Sequence, residues 1–293
     1  MGAAIPAEVP SLEAEVQVEA APATGPVPVP EPQGPEPEPE STAIDTHCHL
    51  FLLEEEASIV VATARDAGVG ALICVGIDPD TSRRSVELAQ SLRGVFASAG
   101  MHPHTASAFD RRAGSIIEEL LEDPMVVAVG ETGLDYYRKL SPIEDQQRCF
   151  RSHIALSRET GKPLVVHVRE AWEDALAILD AEGADRVVLH CFSGDEQVAA
   201  EASTRGYFVS FAGNVTYPGA GGLRAAAASM SSDRILAETD SPFLPPQPTR
   251  GHPNHPANVV TVLQGLGDTR GIALHQMVAE TTANARSAFP LIP

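Results

Sequence analysis

Short apolar runs alternate with longer amphipathic stretches along most of the chain, beginning near residue 43. Eight of these runs are predicted to be β-strands: Ala43–His47, Ala71–Val75, Val95–Gly100, Met125–Gly130, Leu164–Val168, Val187–His190, Tyr207–Phe211 and Arg234–Glu238. The stretches between them have helical spacing, most clearly in Ser82–Ser91, Ile143–Thr160 and Ala171–Glu182. After the last strand, the proline-rich loop Pro242–Pro256 leads to two closing helices, near Ala257–Leu266 and Leu274–Ser287. Continuous apolar strands separated by helices are typical of a parallel sheet buried on both faces.

Eight strand–helix repeats in a single segment predict an α/β protein of the (β/α)8 TIM-barrel class, because such barrels take about 250 residues. A doubly wound open sheet is the alternative fold. It usually carries a glycine-rich phosphate loop after its first strand, and this sequence has none. We therefore expect residues 42–293 to form one barrel domain.

The first forty residues differ in composition from the rest of the chain. They contain ten prolines and eight glutamates but no lysine, arginine or aromatic residue. Such a segment cannot bury enough apolar surface to offset the entropy lost on ordering. Residues 1–41 are therefore predicted to be a disordered acidic tail. They do not resemble a signal peptide, because the positive start and the continuous apolar core of such a peptide are both missing.

The formal net charge is −20, and removing the eight glutamates of the tail leaves −12 for the barrel. This charge excludes nucleic-acid binding by a broad basic face, so a polyanionic substrate would need to be held locally by metal ions and a few arginines. No apolar run approaches the roughly 20 residues of a membrane span. The four cysteines are scattered and form no CxxC pair, which predicts reduced thiols in a cytoplasmic protein: Cys48, Cys74, Cys149 and Cys191.

Six histidines and carboxylates fall at or just after the ends of predicted strands: His47, His49, Glu131, His167, His190 and Asp240. The first two share one face of their strand, because side chains two residues apart point the same way. An isolated pair of this kind is as often two core histidines as a metal site. All six, however, lie at the carboxyl ends of strands, where TIM barrels build their active sites. The sequence therefore predicts that they are metal ligands.

Four imidazoles and two carboxylates are more than one tetrahedral zinc ion needs, and they suit two divalent ions bridged by Glu131. Some barrel hydrolases bridge their metals with a modified lysine instead. The two lysines of this chain, Lys139 and Lys162, are not placed to do so. Magnesium, manganese and zinc are all candidates, because ligand type alone does not select among them.

The motifs IDTHCHL, GMHPH, GETGLDYY, VVHVRE, LHCFSG and ETDSPFL occur in this order from Ile44 onwards. Together they resemble those of the TatD family of metal-dependent nucleases, and the match extends to about Arg286. The resemblance implies cleavage of DNA phosphodiesters, typically from a 3′ end. It also implies two ligand sets that share one glutamate: His47, His49, Glu131 and Asp240 for the first ion, and Glu131, His167 and His190 for the second.

Glu131 and Asp240 are the predicted catalytic residues. Two divalent ions would neutralise phosphate oxygens and lower the pKa of a bound water, whose proton Asp240 could accept. Three residues are predicted to contact the substrate: His102, Arg169 and Asn254. Each has an alternative: His102, like His104, could be a loop histidine, Arg169 could pair with a nearby acid such as Glu170, and Asn254 could form turn hydrogen bonds.

Two further features concern the mouth of the barrel. In TRGHPNHP, which includes Arg250, His255 stands where the TatD family usually has glutamate, so the usual contacts of this loop are in doubt. Tyr136 and Tyr137 could stack on bases or could pack beneath the loop. Cys48 and Cys191 adjoin proposed ligands but are expected to point to the other side of their strands as packing thiols.

The predicted function is hydrolysis of DNA, with RNA as a second candidate substrate, by a monomeric enzyme. One alternative is a barrel metallohydrolase acting on a lactone, an amide or a phosphotriester, since a barrel does not fix the substrate. A second alternative is a binding protein that uses the metals only as a platform. Turnover that is abolished by a chelator would exclude this second alternative, and comparing DNA with the other substrates would test the first.

Overall fold

The computed structural model describes residues 42–290 and residue 292. The predicted tail, residues 1–41, lies outside the described residues, and the division of the chain into tail and barrel stays a prediction. All eight predicted strands are confirmed: β1 Ala43–Cys48, β2 Val69–Val75, β3 Val95–Ala99, β4 Val126–Asp135, β5 Leu164–Arg169, β6 Val187–Leu189, β7 Phe208–Phe211 and β8 Ile235–Ala237.

Helices follow the strands along the described part of the chain: α1 Ala57–Asp66, α2 Pro79–Ser91, α3 Arg111–Leu121, α4 Ile143–Thr160, α5 Trp172–Ala181, α6 Glu196–Thr204, α7 Gly221–Ser229, α8 Val259–Arg270 and α9 Leu274–Ala288. Helix α2 begins three residues before its predicted start, because Asp78 accepts a hydrogen bond from the Thr81 N–H and forms a capping box with that residue. Within the described residues, no helix combines the length and the apolar composition needed to cross a bilayer.

The sheet is parallel throughout, and its strands follow one another in chain order from β1 to β8. The ring closes between β1 and the segment after β8. There the Asp240 N–H donates to the His47 carbonyl at 2.9 Å, and the His49 N–H donates to the Ser241 carbonyl at 2.8 Å. This closure confirms the (β/α)8 barrel and excludes the open doubly wound sheet.

The amino end of the barrel interior is filled by apolar side chains. Ile44, Ile73, Val127, Val165, Val188 and Leu236 come from six different strands and form one buried cluster with Phe289 and Ile292, at and after the end of α9. Helix α9 is anchored to the starts of β1 and β8, since Thr282 donates to the Thr42 carbonyl and Asn284 donates to the Ile235 carbonyl. The carboxyl end of the same interior is therefore the end available for a site.

Strand β4 is longer than predicted. The sequence predicts an end at Gly130, because GETG is rich in residues that strands avoid. The strand continues to Asp135, with Gly130 and Gly133 at positive φ, 127° and 134°. A Cβ at Gly133 would lie 2.1 Å from the His167 carbonyl oxygen, so only glycine fits beside β5. Glu131 thus lies inside a strand rather than after it.

All four cysteines are free, as predicted. Cys48, Cys74 and Cys149 are buried, and Cys48 belongs to the apolar layer between the sheet and the helices. Cys191 differs from the expectation of a buried strand thiol. It follows the end of β6 with a φ of 45° and is partly exposed.

Candidate active site

The six predicted ligands meet at the carboxyl end of the barrel, although they come from β1, β4, β5 and the residues that follow β6 and β8. His47, His49, Glu131 and His190 are almost completely buried, while His167 and Asp240 are partly exposed. Whether these six residues bind metal stays a prediction. Their convergence follows from the closed ring of strands, which brings residues from distant parts of the chain to one mouth.

Glu131 lies at the centre of the cluster, and its two carboxylate oxygens face different partners. On one side, Oε2 lies 3.4 Å from His47 Nε2 and 4.0 Å from His49 Nε2. Asp240 completes this side, with Oδ1 at 3.4 Å from His49 Nε2 and 3.9 Å from His47 Nε2. Two imidazoles and two carboxylates thus surround one point.

On the other side, Glu131 Oε1 faces three histidines. It lies 2.8 Å from His190 Nε2, 3.1 Å from His167 Nδ1 and 3.3 Å from His102 Nε2. His102 was expected to contact the substrate, and the structure brings its ring to the same carboxylate as the predicted ligands. The carboxylate of Glu131 therefore separates two groups of imidazoles.

The donor atoms fit divalent metal ions. Ligand bonds of about 2.0–2.2 Å to a tetrahedral ion place two ligand atoms roughly 3.4 Å apart, which is close to the separations around Glu131. Both ring nitrogens of His47 are buried without a hydrogen bond among the described residues. The Nδ1–H of His49 donates to the Val75 carbonyl at 2.8 Å, so its Nε2 is the nitrogen that faces Asp240.

Among the described residues, three groups of side chains have ligand atoms within 4.8 Å of one another: His47, His49 and Glu131; His102, Glu131 and His167; His47, His190 and Glu238. Two of the three groups contain Glu131. The second and third groups include His102 and Glu238, which the sequence did not assign as ligands.

Burial and neighbouring charges shift the pKa values of these groups in opposite directions. Burial would raise the pKa of Glu131, but the surrounding histidines, His190 and His102 first, hold it well below its usual range. Burial lowers the pKa of His47 to about 3 and that of His102 to about 4. Burial also opposes the charge on His190, yet Glu131 and Glu238 raise its pKa well above normal. The Glu131 carboxylate is thus anionic, and it attracts a proton to His190 as it would attract a metal cation.

Two buried carboxylates that the sequence did not identify as part of the site support this cluster. Asp45 accepts hydrogen bonds from the Thr239 N–H at 2.9 Å and the Thr239 hydroxyl at 2.6 Å, which ties β1 to the segment after β8. Burial raises the pKa of Asp45 to about 8. Glu238 accepts from the His190 ring and from the Cys191 N–H. Each of these two residues could have been identified in the sequence as an acidic residue within, or directly after, an otherwise apolar strand.

The backbone adopts left-handed conformations one to three residues after the ends of three strands. Glu170 follows β5 with a φ of 52°, Cys191 follows β6 with 45°, and Asp240 follows β8 with 55°. Non-glycine residues pay about 1–2 kcal/mol for this conformation, and such positions concentrate at functional sites. Here the conformation turns the chain sharply beside His190 and within Asp240 itself.

Asp135 and Tyr137 lie on the His167 side of the barrel mouth. Asp135 Oδ2 lies 2.8 Å from His104 Nε2 and 3.5 Å from His167 Nε2, so His104 is tied to a carboxylate. The Arg169 guanidinium lies over the ring of Tyr137, 4.0 Å from its centroid, and among the described residues it forms no hydrogen bond or ion pair with Glu170. The Tyr136 hydroxyl instead donates to Asp174 at 2.7 Å and accepts from Gln147 at 2.9 Å, beneath the loop.

The loop after β8 is held from within by Asn254. This residue is 1 % exposed, and its amide donates to the Thr239 and Leu244 carbonyls while its oxygen accepts from the His255 N–H. These are the local hydrogen bonds of the alternative interpretation, and a contact with substrate stays a prediction. His255 Nε2 lies 3.9 Å from Glu55, and Arg250 lies over the ring of Tyr217.

Phe243 is a further residue at the mouth that the sequence did not single out. Its side chain is 52 % exposed, and its ring centroid lies 6.1 Å from that of His49. Its N–H donates to the Asp240 carbonyl at 2.8 Å, which fixes it beside the cluster. The sequence feature that could have identified Phe243 is a bulky aromatic residue in a proline-rich loop, a segment that is not expected to contribute to the core.

Comparison with known proteins gives the same family as the motifs. The model of TatD-related DNases matches residues 44–290. A Bacillus subtilis protein described as an uncharacterized metal-dependent hydrolase, YabD, is 35% identical over 249 residues, or 84% of this chain and 98% of its own length. A Klebsiella pneumoniae protein described as a 3′-5′ ssDNA/RNA exonuclease, TatD, is 33% identical over 237 residues, or 78% of this chain and 90% of its own length.

Solved structures include a similar barrel. The crystal structure of YjjV, a TatD homologue from Escherichia coli K12, has a TM-score of 0.80 and 28% sequence identity, covering 86% of this chain and 99% of its own. The predicted family, the barrel and the hydrolase class are thereby confirmed. This chain is a hydrolase that belongs to the family of TatD-related DNases.

Proposed function

We propose that this protein removes nucleotides from the 3′ end of DNA by hydrolysing phosphodiester bonds, with two divalent metal ions that share Glu131. The observation that carries the proposal is the division of the Glu131 carboxylate, whose Oε2 faces His47 and His49 while Oε1 faces His167 and His190. RNA is a second substrate, a suggestion supported by the description of the Klebsiella relative.

The ligand sets of the proposal are those implied by the motifs: His47, His49, Glu131 and Asp240 for the first ion, and Glu131, His167 and His190 for the second. Such ions, when bound, neutralise phosphate oxygens, lower the pKa of the attacking water and stabilise the leaving oxygen. Magnesium, manganese and zinc are the candidates. The barrel has a formal net charge of −12, so it depends on this local charge to hold a polyanionic substrate.

Asp240 is the proposed general base. Its side chain is partly exposed, with Oδ1 at 3.4 Å from His49 Nε2, so it lies where water from the mouth meets the buried cluster. A carboxylate at this position can accept the proton of the attacking water. The left-handed backbone at Asp240 holds its side chain at this boundary.

Arg169 and His102 are the proposed direct substrate contacts, and Asn254 is proposed to support the substrate-binding loop. The Arg169 guanidinium lies over the Tyr137 ring, 4.0 Å from its centroid, and its N–H groups can donate to a phosphate. His102 Nε2, 3.3 Å from Glu131, lies next to the position of the scissile group. Asn254 acts indirectly, since its hydrogen bonds to the Thr239 and Leu244 carbonyls shape the loop after Asp240.

We also propose that the enzyme is a monomer in the cytoplasm. One chain supplies every residue of the cluster, and the four free cysteines suit a reducing compartment. Size-exclusion chromatography with light scattering tests the first point, and cell fractionation tests the second.

The decisive experiment uses single-stranded DNA labelled at either end, with magnesium, manganese or zinc added in turn. With a 5′ label we expect a ladder of shortening products, and with a 3′ label we expect immediate release of a labelled nucleotide. Glu131→Ala should abolish both. Glu118→Ala, at an exposed glutamate of α3, is the matched control and should cut normally.

Three results would contradict the proposal in different ways. Cleavage by Glu131→Ala at the normal rate would exclude the shared carboxylate. Metal binding without DNA cleavage, but with turnover of a lactone or a paraoxon-like triester, would keep the centre and replace the substrate. Metal binding without turnover of any of them would favour a binding protein.

A further inference from the structure

Glu238 is a buried carboxylate behind the candidate metal centre. Its side chain is 0 % exposed, and Oε1 accepts hydrogen bonds from the His190 Nδ1–H at 3.1 Å and from the Cys191 N–H at 2.8 Å. Its other oxygen, Oε2, is buried without a hydrogen-bond partner among the described residues. A buried carboxylate in this arrangement needs a reason, because burying one is costly.

The two nitrogens of His190 have different partners. Since Nδ1 donates its hydrogen to Glu238, Nε2 is the nitrogen that faces Glu131, whose Oε1 lies 2.8 Å away. The ring also stacks on that of His47, with centroids 3.8 Å apart and planes inclined by 14°. The His190 ring is therefore fixed both at its edge and on its face.

The backbone N–H of Cys191 also binds the Glu238 carboxylate. Cys191 has a φ of 45°, an unfavourable conformation for a residue with a side chain, and its N–H donates to Glu238. This bond links the end of β6 to the residue after β8. Glu238 is thereby held in place independently of His190.

We propose that Glu238 is a positioning residue, which fixes the tautomer and the orientation of His190 so that Nε2 is available to a metal ion. Carboxylates that accept from the outer nitrogen of a ligating histidine orient the ring and raise its basicity. The inference rests on the proposed metal centre, but it concerns metal affinity and is tested without substrate.

The test compares Glu238→Ala, Glu238→Gln and the control Glu118→Ala for zinc and manganese affinity and for metal content per chain. We expect Glu238→Ala to weaken one of the two sites by about 10–100-fold. Glu238→Gln should retain most of the affinity, because its amide oxygen can still accept from the His190 Nδ1–H. Ring-nitrogen NMR of the zinc-loaded proteins should show His190 protonated at Nδ1 and ligated at Nε2 in the parent protein, and a mixture of states in Glu238→Ala.

Two results would overturn the proposal. Unchanged metal affinity in Glu238→Ala, with only a lower melting temperature, would make Glu238 a structural link between β6 and β8. Equal loss of affinity in the alanine and glutamine variants would mean that the carboxylate itself is a ligand, as its proximity to His47 and His190 also allows. Failure to cut DNA would contradict the proposed function and leave these affinities interpretable.

A second inference comes from the exposed aromatic rings at the mouth. Phe243 is 52 % exposed beside His49, and Tyr137 is 56 % exposed with Arg169 on its face, on the side of His167. In an eight-stranded ring in chain order, the β8–β1 and β4–β5 junctions lie on opposite sides. The two rings therefore flank the carboxylate cluster.

We infer that Phe243 stacks on a nucleobase next to the scissile phosphodiester, on the His49 side of the site. This inference rests on the proposed nuclease function and identifies a residue that favours unpaired strand ends, where a base face is free. Aromatic faces bind bases of any sequence in this way.

The test measures KM for single-stranded oligonucleotides that carry either normal or abasic nucleotides at their 3′ end. We expect Phe243→Ala to raise KM about tenfold on the normal strand and to have little effect on the abasic one. Ile59→Ala, an exposed apolar residue on α1, is the control. Equal KM values for Phe243→Ala and the parent enzyme on the normal strand, or equal losses on both strands, would overturn the stacking role. A parent enzyme that cuts neither strand would instead contradict the proposed function.

Discussion

Buried side chains fill both ends of the barrel interior, but their chemistry is opposite. At the amino end, the ring of Phe289 packs with Ile44 and other strand side chains in an entirely apolar cluster. At the carboxyl end, Glu131 and Glu238 are equally buried beside histidines, and Asp45 is buried against Thr239. Strands β1, β4 and β5 contribute residues to both ends, only a few positions apart.

The two ends of the barrel interior therefore contribute to different properties of the protein, its stability and its function. Burial of apolar surface contributes about 25 cal/mol per Å² to folding, whereas burial of a charged group is unfavourable unless partners compensate for it. The amino end therefore stabilises the barrel, and the carboxyl end keeps charged groups that a catalytic site needs. Substitutions at the two ends should affect different measurements.

The largest expected effect is on catalysis at the carboxyl end. Replacing Asp240 by alanine should lower kcat on labelled DNA by roughly a thousandfold, within the range for loss of a general base, while the protein stays folded. Initial rates and thermal unfolding followed by circular dichroism measure the two effects. More than a tenth of the normal rate would mean that Asp240 is neither ligand nor base.

The converse substitution is Phe289→Ala at the amino end. Because this fully buried ring fills the bottom of the barrel, we expect the free energy of unfolding to fall by about 3–5 kcal/mol, with an unchanged kcat for the folded protein. Urea denaturation measures the loss. A stable variant with poor kcat would show that the two ends are coupled.

A smaller effect concerns a histidine away from the carboxylates. His153 of α4 is fully buried, its Nδ1–H donates to the Cys149 carbonyl, and burial lowers its pKa to about 4 from a usual 6.5. The unfolded chain therefore binds a proton between these values while the folded chain does not, so stability is lost as the pH falls through this range. By pH 5 the loss is about 2 kcal/mol.

The substitution His153→Gln isolates this contribution. The free energy of unfolding of the variant should depend less steeply on pH between 6.5 and 4 than that of the parent protein. Urea denaturation at several pH values checks the slope. Parallel slopes in the two proteins would show that His153 titrates normally in the folded state.

The smallest effect is expected from deleting residues 1–40, which contain none of the residues of either end. The rate on single-stranded DNA should stay within about twofold, since the loss of eight negative charges acts on encounter with the substrate rather than on the chemistry. Steady-state kinetics of the shortened chain provide the test. A large drop in kcat would give the segment a catalytic role.

The sequence predicted the architecture well, because strand and helix periodicity are properties of neighbouring residues. Helix α4 has the predicted bounds, and the strands differ by a few residues. Strand β4 was cut short at Gly130, since local composition cannot show that His167 of the next strand approaches the backbone of Gly133. The part of β4 that the prediction left out includes Glu131, the residue at the centre of the site.

The site could be predicted only in part, because many of its contacts join residues that are far apart in the chain. His47 and His49 could be identified from their spacing, and Glu131 from its place after an apolar run. Glu238 was assigned only to the end of a strand, because its partner His190 is 48 positions away along the chain. His102 was expected at the substrate, and its approach to Glu131 depends on a turn after β3 that no local pattern describes.

The sequence by itself determined the alternation of strands and helices, the polar residues at the strand ends and the family. Only the tertiary structure decided that the Glu131 carboxylate divides the histidines into two groups, that Asp45 and Glu238 stand behind them, and that Phe243 lies exposed at the mouth. Periodicity is set by residues that are neighbours in the chain. Distances of a few ångströms between β1, β4 and the segment after β8 exist only once the ring of strands has closed.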